Sequence, residues 1–510
     1  MTCPSITLGP PGTGKTTSLL RRMEEELSSG VDARRIIFLS FTRAAIAEAS
    51  SRVFSKFNLN ESKMPYIRTF HSLGFRLLGF STEDNAVKKK HMREFCEMLN
   101  IPFEAYEQTD EGIFCGAEKG DRMFHLENMS RVCQEDLETI WRSDVDQDHK
   151  ISLPEIERFR DAWVKYKVSR GLLDYTDTLI QWHREGIVPP VDVLFVDEAQ
   201  DLSRIQWDIV RMISDKAARA YVAGDDDQAI YRWNGADVES FINLEGKRHV
   251  LSKSYRLPKQ IHALSKRIVQ KISNRIPKDF EPADHEGSIY TYNSVDGRIP
   301  LDQGNWLMLA RNNYLLKQFV ELCRVKGYPW AQTKGKSICQ GGIPQAIFAW
   351  ETLRAGRQVA LDLVKPIYSR CISTGTIKRG YKKRMQEADK SLKVTMSQLH
   401  EEYGLQTEAP WFEAFDRLSY HDIEFFRKML KNKESMTNKP RITISTFHSI
   451  KGAEADNVLL CTDMAARSFR EYLRSTDDEL RVLYVAVTRA KQNLHILLPS
   501  TANCYHLEKF

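Results

Sequence analysis

The chain has 510 residues, 42% of them apolar and 28% charged, with a formal net charge of +6. That length calls for more than one domain, because single cores stop growing near ~250–300 residues. The mild charge permits a polyanionic partner without demanding one, the nine cysteines hold no C-x-x-C pair and so argue against zinc or iron–sulfur ligation, and no apolar run approaches the roughly 18 residues of a membrane span.

Free thiols and a start directly on folded elements lead us to expect no signal peptide and a cytoplasmic or nucleoid-associated protein. Ser5–Leu8 reads as a strand, Gly9-Pro-Pro-Gly-Thr-Gly-Lys-Thr16 as a phosphate loop, and Thr17–Leu27 as the helix after it. Strand, G-x-x-x-x-G-K-T and helix in that order form a strong signal. Backbone N–H groups of Gly12, Thr13, Gly14 and Lys15 would cradle phosphates at a helix N-terminus. Lys15 would reach the β/γ-phosphates and Thr16 would hold Mg²⁺; Thr17 is counted with them as nucleotide-binding.

Ile36–Leu39 reads as a buried strand and Ala44–Val53 as a helix. Residues 85–190 are helix-rich, charged and poor in β runs, so they read as an inserted helical subdomain. Within them Asp144, Asp146, Asp148 and Glu155 fall at positions one, three, five and twelve of an EF-hand loop. Position six is His149 where the sharp turn wants Gly, and no second hand is found. The expectation is an acidic turn leading into a helix at Pro154, with Ca²⁺ as the alternative.

Residues 191–245 return to strand–helix alternation. Val193–Val196 precedes Asp197-Glu198-Ala199-Gln200, and Ala220–Ala223 precedes Gly224 and then Asp227-Gln228. Strands of a parallel sheet end at one edge, where ligands bind. Asp197 would hold Mg²⁺, Glu198 would deprotonate the attacking water, and Gln228 would sense the γ-phosphate. Tyr231 and Trp233 follow Gln228 closely, and exposed aromatics can stack bases of a single strand. Phe41, Phe70 and His448 are further stacking candidates.

A second α/β block is expected from about Val250, with strands at Trp306–Ala310, Ile442–Ser445, Val458–Cys461 and Leu494–Leu498. It contains Arg256 and Arg489, cations suited to the charge of a phosphoryl-transfer transition state. Residues 335–440 form another helical, basic insertion, with the run Lys378-Arg379-Gly-Tyr-Lys382-Lys383-Arg384. That run is either a solvated face or a contact to duplex phosphates.

Taken in order, these motifs resemble those of the UvrD/PcrA/Rep family of superfamily 1 helicases, over nearly the whole chain. Phe41-Thr42-Arg43-Ala44-Ala45 and Arg68-Thr69-Phe70-His71-Ser72 are similar to the family's DNA-contacting motifs, which implies Thr42 and Thr69 as contacts. The run from Gly224 to Asp237 is specific to the family. Tyr255-Arg256 matches the motif whose Tyr stacks on adenine and whose Arg meets the γ-phosphate. Thr446–Glu454 matches the motif that gives Glu454 to the ribose, and Tyr484–Ala490 closes the series.

The resemblance implies two RecA-like parallel-sheet domains, each with a mainly helical insertion: 1–84 with 191–245, insertion 85–190, then 246–334 with 441–510, insertion 335–440. It implies an ATP- and Mg²⁺-dependent DNA helicase that moves 3′→5′ on single strands, works at single-/double-strand junctions and steps like an inchworm. A protein-displacing translocase that does not unwind is the alternative, and RNA as track stays open because stacking does not read the 2′-OH. Three departures stand out. Eight residues precede Gly9, so the family's Gln-containing adenine segment is expected to be absent and selectivity to lean on Tyr255. Thr17 stands where many members have Arg, and Asn234 replaces an Arg after the motif's Trp.

Overall fold

Short runs rich in Ile, Val, Leu and Phe become strands buried on both faces, as parallel strands covered by helices require. In chain order β1 is Ser5–Leu8, β2 Ile36–Ser40 and β3 Ile67–Thr69. β4, Tyr106–Thr109, and β5, Gly112–Cys115, pair as a separate antiparallel hairpin. β6 is Val193–Asp197, β7 Arg219–Gly224 and β8 Lys247–Val250. The first sheet has six strands in the order β3-β2-β6-β7-β1-β8, every neighbouring pair parallel.

Alternation along these strands builds a core on each face. Ile37, Leu39, Leu194 and Val196 pack with Phe70, Leu73, Trp182 and Trp207. Their neighbours Ile36, Phe38, Val193 and Phe195 pack with Leu19, Leu20, Met23 and Val53 on the other face. The helices Lys15–Ser28 and Arg43–Phe57 extend a few residues beyond the sequence expectation at their ends. Where the sequence suggested that a second core begins at 246, β8 is instead an edge of the first sheet, paired with β1.

The next strands are β9, Ser288–Tyr292, β10, Trp306–Ala310, and β11, Trp330–Gln332. β12, Val359–Ala360, and β13, Lys393–Val394, make a short antiparallel pair. β14 is Ile442–Thr446, β15 Ala455–Cys461 and β16 Ala490–Leu497. The second sheet is also six-stranded and parallel, in the order β11-β14-β10-β15-β16-β9.

The α/β architecture with two such sheets is that of paired RecA-like domains. The chain divides into two compact units: Met1–His285 with Glu471–Val485, and Glu286–Arg470 with Ala486–Phe510. In this computed structural model the described residues are 3–81, 84–104, 106–109, 112–116, 118–143, 151–333, 342–373, 375–436 and 438–507.

Each unit carries helical material outside its sheet. In the first, Phe95, Phe124, Phe159 and Trp163 centre a small core of their own. A buried ionic knot lies beside it: Arg131 meets Glu127, Asp174 and Asp177, and Lys167 meets both aspartates. In the second, Trp350, Trp411 and Phe415 join one continuous core with Trp306 and Met308 of the sheet. Among the described residues no helix is long and apolar enough to cross a membrane.

Candidate functional site

Parallel register decides which residues meet. Leu8 pairs with Gly224 on one side and Val250 on the other, and Ser40 pairs with Asp197 and Thr69. The loops after these strands therefore leave one edge of the first sheet side by side. They carry Gly9–Thr16, Phe41-Thr42, Phe70, Asp197–Asp201, Asp225–Trp233 and Ser254–Arg256.

The phosphate loop ends on Gly14, left-handed at φ 77°, which starts the helix at Lys15 with no side-chain cap. The first-turn N–H groups are thus left for a ligand. Thr13 Oγ1 donates to Pro10 O at 2.8 Å and holds the loop closed. Thr17 is exposed.

Thr16 Oγ1 donates to Asp197 Oδ2 at 2.8 Å. Two hard oxygens so placed fit Mg²⁺, which takes one or two protein oxygens and completes its shell with phosphate and water. No group of three metal-ligating side chains occurs among the described residues. Burial and the adjacent Glu198 push the Asp197 carboxyl up to about 6, against the pull of Lys15 and Thr16.

Lys15 Nζ lies 3.0 Å from Glu198 Oε1. Burial works to depress this lysine, but Glu198, Asp197 and Asp225 around it hold it above the usual lysine value. Glu198 adopts φ 52°, ψ 41°, a left-handed backbone that costs a non-glycine residue ~1–2 kcal/mol. The turn aims its carboxylate back at the phosphate loop. Its other oxygen accepts from Gln200 Nε2 at 2.5 Å. Gln200 Oε1 accepts the Asp225 N–H at 2.9 Å, and Asp225 Oδ2 accepts Gln228 Nε2 at 2.7 Å. Polar contacts thus run unbroken from Lys15 to Gln228.

Tyr255 and Arg256 belong to this unit by contact, not to a separate second block as their sequence position suggested. The Tyr255 N–H donates to Gly12 O at 2.9 Å, and Ser254 Oγ donates to Pro11 O at 2.8 Å. A Cβ on Gly12 would come within 2.3 Å of Arg256 Cβ. The Tyr255 ring is 79% exposed beside the loop, available to a planar ligand.

Of the expected DNA contacts, Phe41 is buried at 7% exposure and stacks behind Tyr231 with centroids 5.4 Å apart, and Trp233 tilts against Tyr231 at 6.4 Å. Trp233 is 45% exposed, so its ring can take a base. Thr42 and Thr69 cap the helices that follow them. Phe70 is a correction: at 1% exposure it packs in the core under the sheet, and its ring cannot stack on a base without leaving that core.

In the second unit Ala455 pairs with Ala490, so the preceding residues Glu454 and Arg489 share one sheet edge. Arg489 is buried, with Nη1 3.4 Å from Ala453 O. Glu454 lies 3.7 Å from Lys491. Desolvation, with Arg311 nearby, pushes the His448 imidazole down to about 3, so the ring is neutral at pH 7. Lys378, Arg379, Lys383 and Arg384 of the basic run are exposed.

Asp144, Asp146 and Asp148 of the calcium-type loop lie outside the described residues. Glu155, its expected twelfth-position ligand, pairs with Lys119 at 2.6 Å.

Sequence reasoning missed the basic side chains that face the acidic loop after β7. Lys278 reaches Asp225, Asp226 and Asp227, and Arg275 grips Asp227 with two hydrogen bonds. Three consecutive aspartates after a buried strand were the available signal, since buried carboxylates demand cations.

Two family models match the chain: the UvrD/REP helicase N-terminal domain over residues 2–249 and the UvrD-like helicase C-terminal domain over residues 375–501. Among curated relatives, an ATP-dependent DNA helicase Rep of Buchnera aphidicola is 26% identical over 48% of this chain and 36% of its own length. An ATP-dependent DNA helicase PcrA of Leuconostoc citreum is 22% identical over 60% of this chain and 42% of its own length. A probable DNA helicase II homolog of Mycoplasma pneumoniae is 22% identical over 97% of this chain and 81% of its own length. The matched regions thus cover well under half of the first two relatives.

Proposed function

The chain belongs to the UvrD/REP family of superfamily 1 helicases, and from that premise we propose that it is an ATP-dependent DNA helicase that tracks 3′→5′ on single-stranded DNA. The observation that supports this most is the run of contacts from Lys15 through Glu198, Gln200 and Asp225 to Gln228, five residues before Trp233. Phosphate chemistry at Lys15 can thereby be felt at Gln228, and along the short backbone segment after it at the base-stacking platform.

In this reading Lys15 and the loop N–H groups bind the phosphates, and Tyr255 stacks on the base. Glu198 parts from Lys15 when nucleotide arrives and takes the proton of the attacking water. Gln228 orients toward the terminal phosphate, and Arg256, held on Gly12, meets the charge that develops there. Mg²⁺, held by Thr16 and Asp197, would neutralise phosphate charge. Arg489 and Glu454 are proposed as nucleotide contacts on the strength of their motifs. Phe41, Thr42, Thr69, Tyr231, Trp233 and His448 are the proposed DNA contacts.

Unwinding of duplexes bearing a 3′ or a 5′ single-stranded tail tests the proposal. Opening of the 3′-tailed substrate alone supports it. Displacement of a bound protein from single strands with neither duplex opened would assign the chain as a translocase instead.

A further inference from the structure

Asp225, Asp226 and Asp227 are consecutive, and each is at most 1% exposed. Three carboxylates packed this closely out of water repel one another and lose hydration, so the loop holds its shape only while cations oppose them. Lys278 is the common partner. Its ammonium lies 3.1 Å from Asp225 Oδ1 and 3.0 Å from Asp227 Oδ2, touches Asp226, and its side chain is 1% exposed. Arg275 adds a two-pronged grip on Asp227 at 2.8 and 2.7 Å. Arg481 Nε donates to the Asp226 carbonyl at 2.9 Å, and its Nη2 donates to Asn274 O at 2.6 Å, which ties the helix Thr476–Val487 to the same loop.

Asp225 is where this basic cluster meets the nucleotide path. One of its oxygens takes Lys278 at 3.1 Å and, more loosely, the Asp227 N–H at 3.3 Å, the other takes Gln228 Nε2, and its own N–H is held by Gln200. The direction of the Gln228 amide therefore depends on a carboxylate whose other side is held by the Lys278 ammonium together with the Asp227 N–H. The same loop runs on through Ala229 and Ile230, each 3% exposed, to Tyr231 and Trp233. A shift of the aspartates would move the γ-phosphate sensor and the stacking platform together.

We propose that Lys278, supported by Arg275 and Arg481, is a positioning residue that couples occupancy of the DNA track to ATP hydrolysis by fixing Asp225 and, through it, Gln228. This rests on the helicase reading above. Lys278 touches neither nucleotide nor DNA in this account. It sets how far the presence of a strand accelerates turnover.

The test is the ratio of kcat with single-stranded DNA to kcat without it, which does not depend on how much of a preparation is folded. For Lys278→Gln, and for the milder Arg275→Gln if the first variant does not fold, the ratio falls by roughly three- to thirtyfold while KM for ATP changes by less than about twofold. Lys278→Arg, which restores a cation, recovers more of the ratio than Lys278→Gln. A ratio within about twofold of wild type in a folded variant overturns the inference. If the wild-type protein itself shows no stimulation by single strands, the functional reading fails first, and the two failures are thereby told apart.

Discussion

The backbone N–H of Tyr255 donates to the carbonyl of Gly12 at 2.9 Å, which fastens the exposed Tyr255 ring and the neighbouring Arg256 to the phosphate loop itself. The two glycines of that loop then differ in what a methyl group would do. Both have positive φ, 74° at Gly12 and 77° at Gly14, so alanine at either costs ~1–2 kcal/mol of backbone strain. Only at Gly12 does the added carbon strike the Tyr255–Arg256 turn, whereas at Gly14 the nearest atom is Thr17 Cβ at 3.8 Å. Gly12→Ala should lower kcat for ATP by about a hundredfold, the scale of a displacement near 1 Å. Gly14→Ala should cost clearly less. Equal losses in steady-state hydrolysis would contradict the assignment of Arg256 to this site.

Trp233 and Phe70 should respond in opposite ways. Trp233→Ala removes a half-exposed ring and should weaken single-strand binding by the ~1–3 kcal/mol of one stacked base, with little change in thermal stability. Phe70→Ala empties a core position and should cost ~3–5 kcal/mol of stability. Fluorescence titration with oligonucleotides and chemical denaturation read the two effects separately.

The contrast between those aromatics shows where the sequence was readable. The strands before Gly9, Asp197 and Asp225 announced themselves as local apolar runs, and the contiguous motifs after them placed Lys15, Thr16, Asp197, Glu198 and Gln228 on one sheet edge. The burial of Phe70 is legible too: Phe70, Leu73 and Leu77 form a stripe at the spacing of a buried helix face. The attachment of Tyr255 to the first unit was hidden because its lead-in strand, Lys247–Val250, is an exposed polar edge with no apolar signature. The pairing of Lys278 with Asp225, Asp226 and Asp227 crosses about fifty residues of sequence, and ion pairs at that range have no period to detect.

The carboxyl of Asp197, raised to about 6 by burial and by Glu198, predicts a pH effect on metal-dependent nucleotide binding. Above that value the carboxylate is free to take Mg²⁺. Below it, binding must displace a proton, so affinity for the metal–nucleotide complex should fall as pH drops from 7.5 to 5. Calorimetric titration across that range checks the slope, which Asp197→Asn should flatten.

The ionic knot in the first insertion makes a stability prediction. Burial acts to raise Asp174, but Arg131 and Lys167 reverse this and hold it well below the ordinary carboxylate range. A depressed folded pKa stabilises above the unfolded value of ~3.9 and loses that contribution as pH falls toward the folded value. Asp174→Asn should therefore be strongly destabilising at pH 7, and the gap to wild type should narrow below about pH 4. Arg131→Met removes the ion pair of buried Glu127 and leaves Lys167 alone to oppose Asp174 and Asp177, and should cost ~3–5 kcal/mol by denaturant unfolding.

The proximity of Glu198 to Lys15 bears the central claim, that this edge of the first sheet hydrolyses ATP under the control of a nucleic-acid strand. Steady-state ATP hydrolysis of the wild-type and Glu198→Gln proteins, each with and without single-stranded DNA, tests it most directly. The strand should stimulate the wild type markedly, and Glu198→Gln should lower turnover by about 10²–10⁴ with nucleotide binding kept. Hydrolysis indifferent to DNA, or a Glu198→Gln protein that still turns over at the wild-type rate, would contradict it.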